Sequence, residues 1–314
     1  MSPDAIDDAI AEARRRLAIS DRNVGASVEH FSRSLRAVCH DWRLTAERWL
    51  DGGAGTPTLA VTREDGTAGV LKIAEPGRLD TAACVMRAAD GRGYARVLAW
   101  DASRGALLTE RLGHALWAEA STVAQQAELI VPLLRDAWRV SLDCGSPYVG
   151  KASGLLTILA DLGPRYGHQH HPDVLTQATR YAKELAASER PEVVCHGDPH
   201  SGNVLRSGPG WALIDPDGFV GERAYDLGVV LRDACGEIMA AEESEPGSGV
   251  MLLLEECRRL AELTDTDPER VWRWAFVERV TTALYLRWHG YADEATTFLE
   301  TAAILTRQGR SAAE

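Results

Sequence analysis

Hydrophobic and polar positions along the chain follow two periods. Between Leu59 and Gly113 the apolar residues mostly alternate or come in short runs, and beyond Gly113 they mostly recur three to four positions apart, so a strand-rich segment is predicted first and a helix-rich one after it. Leu59-Ala60-Val61-Thr62, Glu64-Asp65-Gly66-Thr67 and Ala68-Gly69-Val70-Leu71-Lys72-Ile73 read as strand, turn and strand. Arg96 to Asp101, followed by Gly105 to Gly113, reads as a second hairpin. Helical spacing runs from Leu116 to Val140, Leu155 to Leu162, Val174 to Ala187, Ala224 to Met239, Val250 to Leu263 and Val271 to Trp288. The leader from about Pro3 to Leu50 is also read as helical, with amphipathic stretches at Ile6-Ile10-Leu17 and Phe31-Leu35-Val38-Trp42. The elements predict an α+β chain, with a strand-rich N-terminal lobe over residues 1–112 and a mainly helical C-terminal lobe over residues 113–314.

Composition narrows this picture. The chain has 314 residues, 45% of them hydrophobic, enough to bury a core in one or two domains. Six cysteines, at 39, 84, 144, 195, 235 and 257, lack paired spacing, as expected of reduced thiols in the cytoplasm. The chain does not open on a basic stretch with an apolar run behind it, and no run is long enough to span a bilayer, so a cytoplasmic protein without a membrane partner is expected. A formal charge of −12 argues against a nucleic-acid partner, which needs a basic footprint. It suits a cationic small molecule, although a solvated acidic surface accounts for it equally well. His168-Gln169-His170-His171 is read as an exposed loop between helices in preference to a metal site.

The chemistry concentrates in His196-Gly197-Asp198-Pro199-His200-Ser201-Gly202-Asn203-Val204-Leu205 and Ala212-Leu213-Ile214-Asp215-Pro216-Asp217-Gly218. Apolar brackets at Val193-Val194-Cys195, Val204-Leu205 and Trp211 to Ile214 predict short buried strands with polar residues at their ends. One proton acceptor, Asp198, and two oxygen ligands for Mg²⁺, Asn203 and Asp215, are the parts that phosphoryl transfer from a nucleotide requires. Gly-Asp-Pro and Asp-Pro-Asp-Gly are also ordinary turn sequences, but turn chemistry alone does not account for the brackets and the amide together. His196 and His200 have the spacing of helical zinc ligands, yet Gly197 and Pro199 between them are incompatible with a helix interior. His196 is read as a brace for the loop and His200 as a packing or solvent-facing residue.

Upstream, Lys72 ends an apolar run, where its ammonium can reach nucleotide phosphates; a solvated strand lysine is the plain alternative. Asp51-Gly52-Gly53-Ala54-Gly55-Thr56 can form a loop whose backbone, at Gly53, Gly55 and Thr56, approaches those phosphates, or a simple flexible turn. Kinases orient the lysine with a helix Glu, and no Glu stands in Asp80 to Arg87. Asp80 is the candidate partner, with an N-cap of that helix as its alternative.

The two catalytic segments resemble the catalytic and metal-binding loops of the aminoglycoside phosphotransferase family, relatives of protein kinases. Asp215 to Glu222 with Ala224-Tyr225-Asp226-Leu227 most resembles the streptomycin 6-phosphotransferase and hydroxyurea-resistance kinase branch, and the similarity runs from about Asp51 to the C-terminus. The resemblance implies a bilobal protein-kinase-like fold, ATP and Mg²⁺ as cofactors, and a hinge at Glu110 to Leu112 whose backbone meets adenine, where a strand end is the plain reading. It implies that Asp226 braces the catalytic loop, with a helix cap as the alternative, and that the hydroxyl acceptor lies near Asp233, Glu237 and Glu278. Only seven residues separate Gly218 from Asp226, too few for a peptide-docking segment, so the partner is a small hydroxyl-bearing molecule and no obligate protein partner is expected. The expected activity is ATP-dependent phosphorylation of an aminoglycoside such as streptomycin. Alternatives are another small acceptor, such as hydroxyurea, another antibiotic or a metabolite sugar, and a catalytically silent binding module.

Overall fold

The computed structural model describes residues 3–20, 24–50, 56–146, 150–167 and 171–306. Gly53 and Gly55, and the histidines at 168 and 170, lie outside the described residues. The chain divides into two compact units, Met1–Gly113 and His114–Glu314.

The first unit opens with α1 (Pro3–Ser20) and α2 (Val24–Asp41), followed by β1 (Leu44–Trp49), β2 (Thr58–Arg63), β3 (Ala68–Ile73), α3 (Asp80–Ala89), β4 (Val97–Asp101) and β5 (Ala106–Glu110). The strands form one antiparallel sheet in the order β1-β2-β3-β5-β4. Helical-period residues Ile6, Phe31, Leu35 and Val38 pack with Leu44, Leu59, Leu71, Ile73 and Leu108 in a single buried cluster. Alternation along β3 buries Leu71 and Ile73 in that cluster and sets Lys72 on the opposite face of the strand. Thr58 pairs with Lys72 in register, and the turn between β2 and β3 places Gly66 at φ 82°, a conformation for which glycine carries no steric cost.

Reading the leader as helical up to Leu50 is corrected at its end. Arg43 adopts φ 53°, which stops the helix, and Leu44 and Ala46 then alternate inward against Thr45 and Glu47 outward, so that 44–49 is a strand. Asp80 is likewise not the cap of α3: Leu79 holds that position and Asp80 is the first helical residue. Its Oδ1 is buried with no hydrogen-bond partner among the described residues.

The second unit contains α4 (Val123–Ala137), α5 (Lys151–Tyr166), α6 (Pro172–Ala186), β6 (Val193–Val194), β7 (Val204–Ser207), β8 (Gly210–Leu213), β9 (Val220–Gly221), α7 (Arg223–Arg232), α8 (Cys235–Ser244), α9 (Ser248–Thr264), α10 (Pro268–Trp288) and α11 (Ala292–Thr306). It is mainly helical, so the chain as a whole is α+β. Helix α10, with Trp274, Phe276, Arg279 and Leu284 buried, packs against α5, α6, α7, α9 and α11. Two small antiparallel pairs, β6 with β9 and β7 with β8, carry the polar segments. No helix among the described residues is long and apolar enough to cross a membrane.

The single helix expected from Ala224 to Met239 is two. Arg279, fully buried in α10, donates through Nη2 to the Leu231 carbonyl at 2.8 Å and through Nε to the Arg232 carbonyl at 3.1 Å. A guanidinium therefore satisfies the last carbonyls of α7, and the chain turns at Asp233 before α8 begins. Helix α11 continues the helical architecture past the last periodic run read from the sequence, with Ala295, Leu299, Ala302 and Leu305 buried.

Candidate active site

Asp198 stands in the turn between β6 and β7, and the backbone of that turn is held from beneath. Asp226, fully buried in the first turn of α7, accepts the His196 N–H at 2.9 Å, the Gly197 N–H at 2.8 Å and the Trp138 indole N–H at 2.8 Å. Burial pushes its carboxyl up to about 6, against the lowering effect of these three donors. A carboxylate inside a helical core is costly, and three convergent donors are what offsets the cost.

His196 is the second brace. Its Nδ1 accepts the Asp198 N–H at 3.2 Å and its Nε2 faces the Ile214 carbonyl at 2.9 Å, so the proton belongs on Nε2 and the ring is neutral. Burial lowers its pKa to about 4. The ring thereby ties the Asp198 turn to the strand end that leads into Asp215. Gly197 adopts φ 94°, and a β-carbon there would stand 2.5 Å from Asp217 Cβ, so this position requires glycine twice over.

Asn203 and Asp215 are brought to the same turn. Asn203 Nδ2 donates to the Asp198 carbonyl at 2.9 Å, and the Ile214 N–H donates to the Asn203 carbonyl at 2.9 Å. With the amide nitrogen spent on the loop, the amide oxygen of Asn203 is the end available to a ligand. Asp215 adopts φ 58°, a left-handed conformation in which Asp is among the tolerated residues, two residues after the end of β8. An amide oxygen and a carboxylate on adjoining turns are hard oxygen donors, a set that fits Mg²⁺.

Arg232 and His200 are neighbours of Asp198 that the sequence reading did not place there. Arg232, at the C-terminus of α7, donates through Nη1 to Asp198 Oδ1 at 3.1 Å and through Nε to Asp233 Oδ1 at 2.8 Å. Burial works to lower its pKa, and Asp233 and Asp198 outweigh it, so the guanidinium is permanently charged. His200 accepts the Gly202 N–H on Nδ1 at 3.1 Å and sets Nε2 3.5 Å from Asp198 Oδ2, which corrects its reading as a packing or solvent-facing residue. The partner Arg232 lies 34 residues from Asp198 and leaves no local pattern. For His200 the signal was its place two residues after the aspartate.

The residues read as acceptor contacts separate. Asp233 and Glu237 line a hollow of about 150 Å³ together with Ser121 and Gln126. Burial works to raise the Asp233 carboxyl, but Arg232 outweighs it and the net shift is downward. Glu237 caps α4 by accepting the Val123 N–H at 2.6 Å. Glu278 is elsewhere: it is buried in α10 and accepts the Tyr225 hydroxyl at 2.6 Å. In the first unit, Lys72 is half-buried on β3, Thr56 precedes β2, and Glu110 closes β5. Glu110 Oε1 accepts the Arg96 N–H at 2.7 Å; Leu112 follows two residues after β5.

A kinase-like fold is also what comparison with solved structures returns. The choline kinase LicA of Streptococcus pneumoniae, in complex with AMP, superposes with a TM-score of 0.60 at 12% identity, covering 87% of this chain and 96% of that one. The aminoglycoside/hydroxyurea antibiotic resistance kinase model matches residues 41–290, and the chain belongs to that family and so to the small-molecule phosphotransferases. Among characterised relatives, a streptomycin 3''-kinase of Klebsiella pneumoniae is 30% identical over 74% of this chain and 85% of that protein. A hydroxyurea phosphotransferase of Kitasatospora aureofaciens is 34% identical over 54% of this chain, and the match spans 51% of its own length, about half.

Proposed function

We propose that this protein transfers the γ-phosphoryl group of ATP to a hydroxyl of a small cationic acceptor, with streptomycin the best-supported candidate, and that the modified antibiotic loses activity through the added charge and bulk. The observation that carries the reading is the convergence of Asp198, Asn203 and Asp215 on turns joined by the Asn203–Asp198 and Ile214–Asn203 hydrogen bonds. A structural turn cluster has no need of an exposed carboxylate whose backbone is gripped by two buried residues.

In this reading Asp198 orients the acceptor hydroxyl and receives its proton as the oxygen bonds to phosphorus and ADP leaves with the electrons of the broken P–O bond. Arg232 and His200 fix the rotamer of Asp198, which serves positioning more than proton affinity. Asn203 and Asp215 would hold Mg²⁺, which supplies neutralisation of the phosphate charge. Lys72, with Gly53, Gly55 and Thr56, would hold the nucleotide phosphates, and the backbone from Glu110 to Leu112 would meet adenine. Asp80, one helix along, is the candidate to orient Lys72. Asp233 and Glu237 offer carboxylates to ammonium or guanidinium groups at the rim of the hollow. The streptomycin kinase relative supports that acceptor, and the hydroxyurea relative supports the second reading, a neutral acceptor on the same machinery.

Incubation with ATP, Mg²⁺ and either compound, followed by mass spectrometry, decides between them. A single phosphate gained by streptomycin is the expected result. Gain on hydroxyurea alone favours the second reading, and no gain on any hydroxyl-bearing acceptor of a broad panel removes the proposal.

A further inference from the structure

Asp217 enters neither the catalytic nor the metal-binding set, yet its backbone is locked to the Asp198 turn. Its N–H donates to the His196 carbonyl at 2.7 Å, Pro216 restricts the approach from one side, and its Cβ lies 2.5 Å from where a Gly197 side chain would begin. The carboxylate, by contrast, has spare capacity. Its side chain is 56% exposed, it accepts no hydrogen bond among the described residues, and the Lys151 ammonium facing it is 3.9 Å away, beyond hydrogen-bond reach.

Lys151 occupies a recess made for a cation. Its Nζ lies 4.8 Å from the centre of the Phe219 ring and 5.0 Å from that of Tyr225, two rings set edge to face with centroids 5.1 Å apart. Behind Tyr225 stands the buried Glu278 carboxylate, bonded to the tyrosine hydroxyl. Glu189 fixes the start of α5 by accepting the Lys151 N–H at 2.8 Å and the Ala152 N–H at 3.1 Å, so the lysine stem leaves from a rigid point. Aromatic faces and carboxylates thus surround a place that the chain fills with its own ammonium.

We infer that Asp217 selects acceptors by charge: it takes an ammonium or guanidinium group of the acceptor, and Lys151 competes for the same carboxylate from the aromatic recess. The inference rests on the phosphotransfer reading. An acceptor whose hydroxyl meets Asp198 and whose cation meets Asp217 is held at two points on adjoining turns, which orients it for transfer. A neutral acceptor gains nothing from the second point.

Calorimetric titration of the full chain with streptomycin, without nucleotide, tests this. Asp217→Asn weakens binding on the order of tenfold, the loss of one charge-assisted hydrogen bond, and Asp217→Glu retains it within a few-fold. Lys151→Met strengthens binding by roughly three- to tenfold, because the repelling charge is gone and the ring faces are open. Both Asp217→Asn and Lys151→Met bind a non-hydrolysable ATP analogue as the parent does, which also shows that they are folded. The inference is overturned if Asp217→Asn binds streptomycin like the parent, or if neither the parent nor Lys151→Met binds it. Failure of the parent to bind the ATP analogue would instead strike the phosphotransfer reading and with it the selection of acceptors, whereas a tenfold loss of streptomycin binding in Asp217→Asn alone would still mark Asp217 as a cation-binding carboxylate.

Discussion

The turn that carries Asp198 and the rim where α7 gives way to α8 share a residue, Arg232, and are otherwise built on opposite plans. The turn is held through its backbone: Asp226 and His196, both buried, take the N–H groups of residues 196, 197 and 198. The rim is held through side chains, with Asp233 on Arg232 and Glu237 on the N-terminus of α4, and it borders a hollow. Backbone contacts do not depend on which side chain is present at the contacted residue, so the turn has one shape. Side-chain contacts can be exchanged for others, so the rim can adapt to the molecule it meets. Phosphoryl transfer asks for the first property and acceptor recognition for the second.

The largest expected break in that contrast is Asp198→Ala, which lowers turnover by roughly a thousandfold or more while nucleotide affinity is preserved, as read by steady-state kinetics beside a nucleotide-binding assay. Equal loss of both would mean that Asp198 supports the nucleotide site and not the proton transfer.

Asp226→Asn comes next. It leaves buried N–H donors facing an amide nitrogen and should cost about 3 kcal/mol in urea unfolding. Its pH dependence sharpens the assignment. Asp226, raised to about 6, binds a proton in the folded state that the unfolded chain releases, so its contribution to stability falls as pH rises from about 4 to 6. His196, lowered to about 4, withholds a proton that the unfolded chain binds, so its contribution rises as pH rises from about 4 to the ordinary histidine value of about 6.5. In the parent the two slopes oppose each other. In Asp226→Asn the histidine slope stands alone, and stability should climb with pH by on the order of 1 kcal/mol per unit across that window. A flat profile in the variant would mean that His196 is not held neutral.

How much of this was legible from the sequence follows the same division. The Asp198, Asn203 and Asp215 set was readable because its members sit within two short segments with apolar brackets. The hairpin ending at Lys72 was readable from alternation. Arg232 and Lys151 were not, because an ion pair formed between distant segments imposes no spacing on either one. The strand at Leu44–Trp49 was read as helix because six residues of alternation are easily absorbed into a neighbouring amphipathic helix, and only the left-handed turn at Arg43 separates them. The break between α7 and α8 was hidden because its cause, Arg279, lies 48 residues from Leu231.

Two alanine substitutions give the finer comparisons. Gly197→Ala forces a side chain into a left-handed backbone and against Asp217, and should destabilise the fold by about 1–3 kcal/mol with a loss of activity. Gly236→Ala, on the rim, meets nothing within 4 Å inside α8 and should leave stability unchanged or raise it by up to about 1 kcal/mol, as measured by thermal unfolding. Equal penalties at the two glycines would erase the distinction between turn and rim.

Arg279 gives the molecule a built-in seam. By ending α7 on a guanidinium rooted in α10, the chain lets α8 be lengthened, reoriented or re-lined without pulling on Arg232 or on the aspartate it steadies. If the proposed reading holds, the acceptor side of that seam is free to change while the aspartate on the other side keeps its alignment.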